Sequence, residues 1–385
     1  MQLAILGRQP SISLAELISL YGEAIRPLSS DIAAIDQDGI DLTRLGGTLK
    51  LARVITTLPT SDWDEITDAL SQPATTQLIL VGKTGKLTIG LSPHGQKLTQ
   101  RDLFSTGLEL KKRWRKLGYQ IRLVPSEGPA ITAAQIIHNR MIKSGADITL
   151  ATSGQQTMVA VTQQVQDIVA YSDRDYGRPA RSAKVGMLPP KLAQIMLNLA
   201  NPASDSTILD PFCGSGVVLQ EAILMGFQAI GSDLDPVMIE YSRTNLNWLA
   251  AKTPPSTNTS RLEQADARKH RWKGPIGAVV TEGDLGPPLS SPPPAGRLDR
   301  LARNARQLTI DFLTNLHPQL PPGTPVVITL PAWRAGSGYR RLNLIDQVTA
   351  LGYTLKQFLP VQQSDLLYWR KDQIVARELM ALTRV

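Results

Sequence analysis

The chain has 385 residues, more than the roughly 100–200 of a usual domain, so we expect two or three domains. Its composition, with 42% hydrophobic and 19% charged residues, is that of an ordinary globular protein and excludes wholesale disorder. The single cysteine, Cys213, excludes an internal disulfide and a multi-cysteine zinc site. The four histidines lack ligand spacing, so we expect no metal.

Positive charge is concentrated in one part of the chain. The formal net charge is +8, and the segment from Lys83 to Lys143 holds 12 Lys and Arg against three acidic residues. This excess predicts a polyanionic partner, most often nucleic acid, although a solvated basic face that binds nothing is the alternative. We find no secretory signal pattern and no apolar run of about 18 residues. We therefore expect a cytoplasmic protein, and we favour a monomer while leaving the oligomeric state open.

The N-terminal half has the pattern of a small mixed α/β region. Residues 13–21 form an amphipathic helical pattern, and Ser13 with Glu16 has the spacing of a capping box. We predict a second helix at 42–54 and a third at 98–117, which carries Lys111, Lys112, Arg113, Arg115 and Lys116. Strands are predicted at 77–81, 86–90, 120–124, 147–151, 156–163 and 167–171. Trp114 and Tyr119 beside the basic run are candidates either for stacking on a base or for core packing.

The C-terminal half alternates short apolar strands with helices. A segment with little periodicity, 173–184, is predicted to be a linker and carries Arg174, Arg178 and Arg181. A helix with proline in its first turn follows at 188–200. Strands are predicted at 207–209, 228–232, 277–280, 325–330, 354–359 and 366–369, and irregular loops at 252–260 and 283–296. This alternation is typical of a mostly parallel α/β sheet.

The strongest motif is Asp-Pro-Phe-Cys-Gly-Ser-Gly at 210–216, where a strand runs into a loop and then a helix. Gly214 and Gly216 permit backbone conformations and a close ligand approach that a Cβ would obstruct. Asp233 and Asp235 follow the next strand, where a carboxylate can accept hydrogen bonds from ribose hydroxyls. The geometry is Rossmann-like.

Two features favour S-adenosylmethionine over a dinucleotide. The third glycine of the dinucleotide fingerprint is replaced by Leu219. Asp210 at the loop entrance suits the cationic amino and sulfonium groups of S-adenosylmethionine but not a pyrophosphate. Asp266, at the end of the following strand, is a weaker candidate for accepting a hydrogen bond from the adenine amino group.

These motifs make the chain similar to the THUMP-domain tRNA guanosine N2-methyltransferases, and the resemblance covers nearly its whole length. The match is residue by residue over Asp210, Pro211, Phe212, Gly214, Ser215 and Gly216, with further similarity at Arg178-Pro179 and 186–193. The resemblance implies an α/β chain with a ferredoxin-like unit at 1–58, a THUMP domain at 59–171, a basic linker at 172–190 and a Rossmann-like methyltransferase domain at 191–385. It also implies S-adenosylmethionine as cofactor and tRNA as partner. Lys111 to Lys116 and the three linker arginines are then the expected RNA contacts.

The family's catalytic loop, (Asp/Asn)-Pro-Pro-(Tyr/Phe), is altered in this chain. Glu282 occupies the acidic position, but Gly283, Asp284 and Leu285 stand where the two prolines and the aromatic ring are expected. An acidic oxygen is needed to accept the hydrogens of a base amine and to direct its lone pair toward the methyl group. Glu282 is the first candidate for that role and Asp284 the second. The alternative is that both acids lie in an exposed loop and have no catalytic role.

Three functions remain open at this point. The first is methylation of an exocyclic amino group of a tRNA base, with guanine N2 favoured. The second is a DNA adenine or cytosine N-methyltransferase, against which the basic N-terminal region weighs. The third is a non-catalytic tRNA-binding protein, which the altered loop favours. Cys213 is interpreted as a small filler residue because a cysteine nucleophile belongs at the fourth strand.

Overall fold

The computed structural model describes residues 1–181, 187–253 and 260–385. Within them the chain divides into two compact units. The first comprises residues 1–10, 21–43 and 47–168, and the second comprises 11–20, 44–46 and 169–385. The first helix, α1 (Pro10–Tyr21), therefore has most of its residues in the second unit. The predicted linker residues 182–186 and most of the predicted loop at 252–260 lie outside the described residues.

The first unit is built on one eight-stranded sheet. Its strands are β1 (Gln2–Leu6), β2 (Ile25–Ser29), β3 (Ile32–Ile35), β4 (Thr48–Leu58), β5 (Lys86–His94), β6 (Gln120–Leu123), β7 (Gly145–Ser153) and β8 (Gln156–Val165). They lie in the order β2-β3-β1-β4-β8-β7-β5-β6. Strand β5 runs parallel to β6 and β7, and the other neighbours are antiparallel. The helices are α2 (Trp63–Ser71), α3 (Pro73–Ile79), α4 (Gln100–Lys116), α5 (Ala133–His138) and α6 (Met141–Ser144). The expected boundary at residue 58 lies at the end of β4, which pairs with β1 on one side and β8 on the other.

Most predicted elements of this unit are confirmed, but the helix at 42–54 is wrong. Only Leu42–Arg44 form a short 3-10 turn, and β4 begins at Thr48. Strand β4 has neighbours on both sides and buries Lys50, Leu51 and Ala52 in succession, so the alternation that marks a half-exposed strand is missing.

Two short apolar runs form helices instead of the predicted strands. The strand predicted at 77–81 lies largely in α3, which begins with Pro73 at its first position. The strand predicted at 167–171 lies in helix α7 (Ile168–Tyr176). Runs of four or five apolar residues have no period of their own, so periodicity cannot separate a buried helix from a strand.

The predicted capping box of α1 is also wrong. The helix starts at Pro10, three residues before Ser13, so Glu16 lies in its interior. The Glu16 carboxylate is fully buried and accepts hydrogen bonds from Gly46 N at 2.9 Å and Asn198 Nδ2 at 2.7 Å. Burying a carboxylate is costly unless it is hydrogen-bonded, and these two bonds meet that need. Glu16 therefore connects α1 to residues distant in sequence and does not cap the helix.

The second unit contains a mostly parallel sheet. Its strands are β9 (Thr207–Asp210), β10 (Gln228–Asp233), β11 (Ser260–Gln264), β12 (Ala278–Glu282), β13 (Pro325–Ala335), β14 (Gly338–Arg340), β15 (Tyr353–Leu355), β16 (Leu367–Tyr368) and β17 (Val375–Arg384). The order is β11-β10-β9-β12-β13-β17-β15, with β14 paired to β13 and β16 to β17. Strands β9 to β13 are parallel, and β17 is antiparallel to them. The helices that follow α7 are α8 (Pro190–Ala200), α9 (Val217–Leu224), α10 (Pro236–Lys252), α11 (Ala295–Leu316) and α12 (Ile345–Ala350).

The two central strands of this sheet are buried on both faces. Ile208 and Val280 belong to one apolar cluster and Leu209 and Val279 to another, and all four are fully buried. Strand order reverses at β9, which lies between β10 and β12. Ligands of open α/β sheets bind beyond the carboxyl ends of the strands at such a reversal, so the fold directs attention to the loops after β9 to β12.

The predicted strands of the parallel sheet are confirmed, but sequence reasoning missed the long last strand. The short strands β15 and β16 both pair with β17 rather than with each other. Strand β17 is rich in helix-favouring Ala, Arg, Glu, Leu and Met, and it buries two charged residues, Arg377 and Glu378. Among the described residues, no helix is long and apolar enough to cross a membrane.

Candidate active site

A cavity of about 530 Å³ lies where the strand order of the second unit reverses. The loops after β9, β10, β11 and β12 all contribute to its lining, as do Met187, Leu188 and Leu308. The four loops supply the residue ranges 210–215, 233–235, 265–268 and 282–288. The cavity therefore brings the two motifs of the sequence, the glycine loop and the altered acidic loop, to one place.

The glycine loop is held by helix α10. Gly214 and Gly216 have φ of +50° and +84°, a left-handed conformation that favours glycine. The Ser242 hydroxyl donates to Gly214 O at 2.8 Å, and Asn245 Nδ2 donates to Ser215 O at 2.9 Å. A Cβ on Gly216 would lie 2.9 Å from Ser242 Oγ, and Gly216 is not among the residues that line the cavity. We expected a Cβ on Gly216 to obstruct the ligand, and this expectation needs correction. The space that a Cβ would take at Gly216 is instead occupied by Ser242 of α10.

Leu219 shows how the helix after this loop packs without a third glycine. Its side chain is fully buried, and a Cβ on Gly231 would lie 2.4 Å from Leu219 Cδ1. The glycine that permits close packing is thus Gly231 on strand β10, whereas the dinucleotide fingerprint has it on the helix. Close packing of helix and strand is retained, while the dinucleotide fingerprint is not.

Asp210, at the end of β9, is a buried carboxyl group in the cavity wall. Its Oδ1 accepts hydrogen bonds from Thr281 Oγ1 at 2.6 Å and from Phe212 N at 3.3 Å, and in the described part of the chain no donor reaches Oδ2. Burial raises the pKa of Asp210 to about 7, and the nearby carboxylates of Asp233 and Glu282 add to the rise. A cation placed against Asp210 would reverse this effect, because it stabilises the charged form.

The acids after β10 and β11 also line the cavity. Asp233 accepts hydrogen bonds from Gly214 N and Asp235 N, both at 2.9 Å, which ties the glycine loop to β10. Asp235 caps α10 by accepting from Val237 N at 2.9 Å. Asp266 is bound by Arg268 through two hydrogen bonds of 2.9 and 2.8 Å, and this contact lowers the pKa of Asp266 to about 2.

Glu282 ends β12 and is paired with Arg377, an arginine that no motif of the sequence marks. Arg377 Nε donates to Glu282 Oε1 at 2.5 Å, and Arg377 Nη2 donates to Met187 O at 3.3 Å. Burial raises the pKa of Glu282, and Arg377 opposes that rise. No donor of the described residues reaches Oε2, so this oxygen remains able to accept a hydrogen bond in the cavity.

The rest of the altered loop differs from a flexible surface turn. Gly283 is buried, its N–H donates to Thr329 O at 3.1 Å, and a Cβ would lie 2.6 Å from that oxygen. A proline at this position has no N–H to donate, so glycine prolongs the pairing of β12 with β13. Asp284 is exposed and accepts from Gly286 N at 2.8 Å within its own turn. Leu285 is half-buried in the cavity lining, where the family has an aromatic ring.

Residues 178–330 match the family model of the UPF0020 (RMKL-like) methyltransferase domain. This part of the chain is therefore similar to that methyltransferase domain. The predicted α/β fold with a Rossmann-like methyltransferase domain is confirmed. The antiparallel β17 inserted beside β13 distinguishes its sheet from the dinucleotide-binding order.

Two named relatives are also similar to part of the chain. The tRNA (guanine(10)-N2)-dimethyltransferase of Methanothermobacter thermautotrophicus is 32% identical over 146 residues, which are 38% of this chain and 39% of that protein. A second protein of that name, from Methanocaldococcus jannaschii, is 33% identical over 113 residues, 27% of this chain and 32% of the relative. The chain thus matches less than half the length of these relatives. The crystal structure of TrmN from Thermus thermophilus has a TM-score of 0.58 and 18% identity, covering 100% of this chain and 99% of its own, which shows a shared fold.

The basic residues of α4 lie in the first unit and differ in availability. Lys112, Arg115 and Lys116 are exposed, and Lys111 is half-buried. Arg113 is bound by Asp68 and Glu109. Trp114 is fully buried and donates from Nε1 to Leu70 O at 3.1 Å, so it is a core residue and cannot stack on a base in this state.

The three linker arginines are not equivalent either. Arg174 is largely buried in an ion pair with Glu221, at 2.6 Å between Nε and Oε1. Arg178 is 2% exposed, and none of its guanidinium nitrogens has a hydrogen-bond partner among the described residues. Our expectation that Arg178 contacts an RNA phosphate needs correction, because its guanidinium does not reach solvent without a rearrangement. Arg174 keeps 16% side-chain exposure but is already paired with Glu221. Arg181 is exposed and stacks over the Tyr176 ring at 5.4 Å.

Cys213 occupies the space expected of a filler residue. It is 5% exposed, packs in an apolar cluster with Leu219 and Ile239, and burial raises the pKa of its thiol well above the usual value. A nucleophilic cysteine requires a lowered pKa, which this environment opposes. Within the part of the chain that the structure describes, no group of three or more metal-ligating side chains occurs.

Proposed function

We propose that this chain is an S-adenosylmethionine-dependent methyltransferase that acts on an exocyclic amino group of a tRNA base, with guanine N2 as the favoured target. The observation that carries the proposal is the cavity of the second unit, because it is lined both by the glycine loop at 210–215 and by Glu282. The name of the archaeal relatives supports the choice of tRNA and of guanine N2.

The residues of the cavity fit the cofactor in chemistry. When bound, S-adenosylmethionine supplies an electrophilic methyl group on a positively charged sulfur. Asp210 is proposed to face the cationic methionine end, with Pro211, Phe212 and Ser215 along the cofactor and Gly214 and Gly216 giving the loop its shape. Asp233 or Asp235 is proposed to accept the ribose hydroxyls, and Asp266 the adenine amino group. A carboxylate has about four lone-pair sites, so Asp233 and Asp266 keep acceptor capacity beside their present partners.

Glu282 is proposed to orient the target amine. Its Oε1 is held by Arg377, and Oε2, which no donor of the described residues reaches, is the oxygen proposed to accept from the amine. An ionised carboxylate accepts the amine hydrogens and thereby turns the lone pair toward the methyl group. Asp284 is the second candidate, although its Oδ1 already accepts from Gly286 N. Leu285 provides apolar contact but no ring for stacking on a flipped base.

Cofactor affinity is expected to fall as the pH falls below 7. The pKa of Asp210 is about 7 without ligand, and a cationic ligand binds the ionised form, so binding at lower pH must first release a proton. Affinity should approach a tenfold loss per pH unit between pH 7 and 5, where the ligand's own amino group, of pKa about 7.7–8.0, stays protonated. Calorimetric titration with S-adenosylmethionine over this range measures the slope. Asp210→Asn should bind more weakly and without that slope; an unchanged slope in this variant would assign the proton to another group.

Residues 59–171 are proposed to act as a THUMP-type RNA-binding region that docks on tRNA through α4. Neutralising Lys111 and Lys112 together should weaken tRNA binding and reduce its salt slope by about 0.7–0.9 for each phosphate that is no longer neutralised. Binding measured at several salt concentrations gives both values. Arg113→Gln is the matched control, since Asp68 and Glu109 already hold that guanidinium and the slope should change less. If the double variant keeps both affinity and slope, RNA docks elsewhere.

The proposed function is tested by methyl transfer itself. The protein is incubated with methyl-labelled S-adenosylmethionine and either tRNA or duplex DNA, and the nucleic acid is digested to nucleosides. Label in tRNA supports the proposal, and label in DNA alone would favour a DNA N-methyltransferase. Cofactor binding without transfer to either would favour a tRNA-binding protein that has no methyl-transfer activity.

A further inference from the structure

Arg377 is a buried charged residue, the third of the ten residues of β17. It lies in β17, 3% exposed, beside β13 and next to the cavity. Burying a guanidinium is costly unless it is paired and hydrogen-bonded, and removing its partner leaves an uncompensated buried charge. An apolar side chain at this position would avoid that cost. We therefore look for a role of Arg377 beyond packing.

The contacts of Arg377 connect two parts of the cavity wall. Its Nε binds Oε1 of Glu282 at 2.5 Å, and its Nη2 binds the main-chain oxygen of Met187 at 3.3 Å. Glu282 and Met187 both line the cavity, whereas Arg377 does not. Arg377 therefore reaches the cavity only through other residues.

We propose that Arg377 is a positioning residue, which holds the Glu282 carboxylate ionised and turns its Oε2 toward the target amine. This inference rests on the proposed function of Glu282. An opposite charge in contact favours the ionised form of a carboxylate, and a fixed Oε1 restricts rotation of the side chain. Without Arg377, burial would favour the protonated carboxyl, which has one acceptor site fewer and donates a hydrogen where the amine needs an acceptor.

The adjacent residue offers a matched control. Glu378 follows Arg377 in β17, so its side chain points to the other face of the sheet. There it pairs with Arg341, which binds Glu378 Oε1 at 3.2 Å and Ser364 O at 2.6 Å. Arg341 and Glu378 are absent from the cavity lining. Arg341→Met thus removes a partly buried arginine that pairs with a residue of β17, and it leaves the contacts of Glu282 unchanged.

The kinetic test compares Arg377→Met, Arg377→Lys and Arg341→Met in single-turnover methyl transfer across pH. We expect Arg377→Met to be slower at pH 7 by about 10–100-fold, the usual effect of removing a group that orients another. Its rate should recover as the pH rises. Without Arg377 the pKa of Glu282 is higher, so the carboxylate that accepts from the amine forms only at higher pH. Arg377→Lys should restore most of the rate, and Arg341→Met should match the wild type. A uniform loss at every pH would overturn the proposal.

A double variant separates positioning from general damage. If Arg377 acts through Glu282, then Glu282→Gln with Arg377→Met should be no slower than Glu282→Gln alone. Independent multiplicative losses in the double variant would contradict the proposal.

A readout without substrate keeps the inference separate from the proposed function. The protonated carboxyl band of Glu282, assigned in infrared spectra by its absence in Glu282→Gln, should titrate at higher pH in Arg377→Met than in the wild type. If wild-type protein methylates no tRNA but this shift is seen, the proposed function fails and the pairing stands. An unshifted titration overturns the role of Arg377.

Discussion

Glu282→Ala is expected to lower the rate of methyl transfer by about 10²–10³-fold, the usual effect of removing one preorganised group at a reacting centre. The variant lacks the oxygen proposed to accept from the amine and leaves Arg377, which is 3% exposed, without its carboxylate partner. Glu282→Gln should be less impaired, because an amide retains one carbonyl oxygen. Single-turnover rates with saturating cofactor measure the effect, and cofactor affinity should stay near that of the wild type.

Asp284→Asn is the control for this prediction. Asp284 is exposed and its hydrogen bond is with its own turn, so a mild effect is expected. Activity that survives Glu282→Ala but disappears in Asp284→Asn would show that the second acid is the one that accepts the amine. Because Glu282→Ala leaves a buried charge unpaired, its thermal unfolding is measured alongside, and the comparison is made on folded protein.

Gly216→Val is expected to disturb both stability and cofactor binding. The valine would adopt φ near +84°, and its Cβ would lie 2.9 Å from Ser242 Oγ, the group that donates to Gly214 O. Gly226 has a similar φ of +93° but nothing within 4 Å of a Cβ, so Gly226→Val is the matched control. Both variants carry backbone strain, and we expect Gly216→Val to be about 1–3 kcal/mol less stable than Gly226→Val because of the forced contact.

Denaturant unfolding gives the two stabilities, and calorimetry gives the affinity for S-adenosylmethionine. A displaced Ser242 should release the glycine loop, so only Gly216→Val should bind the cofactor more weakly. Equal stability and equal affinity in the two variants would contradict this prediction, because the contact between the valine and Ser242 would then have no effect.

The sequence was most informative where local pattern and burial agree. Strands β9, β10 and β12 are short and mostly buried, and the glycine loop at 210–216 follows the first of them. Asp210 is predicted from the glycine motif and Glu282 from the resemblance to the family's acidic loop, and both line the cavity. They come together because the carboxyl ends of parallel strands meet at one edge of a sheet.

The sequence was least informative where tertiary contacts decide. Strand β17 was missed because its residues favour a helix in isolation, and with it Arg377, which is 95 residues from its partner Glu282. Arg174 and Arg178 have the charge expected of RNA contacts, but Arg174 is paired with Glu221 and Arg178 is buried in the second unit. Charge can be read from a sequence, whereas its exposure depends on the fold.

The contacts of the altered acidic loop explain its sequence. Gly283 continues the pairing with β13, which a proline could not do, and Arg377 restricts the carboxylate at the end of strand β12. The Glu282 carboxylate is thus held through Oε1 by a side chain from β17, which leaves Oε2 without a donor among the described residues. Leu285 lies where the resemblance implies an aromatic ring, and Phe212 is the one aromatic side chain among the described residues that line the cavity.

The most direct test of the central claim is nucleoside mass spectrometry of tRNA incubated with S-adenosylmethionine and either wild-type protein or Glu282→Gln. We predict N2-methylated guanosine with the wild type and a much lower yield with the variant at the same time point, with equal cofactor binding by both. Methylation at a different atom, an equal yield from the two proteins, or no methylated nucleoside from either would contradict the account.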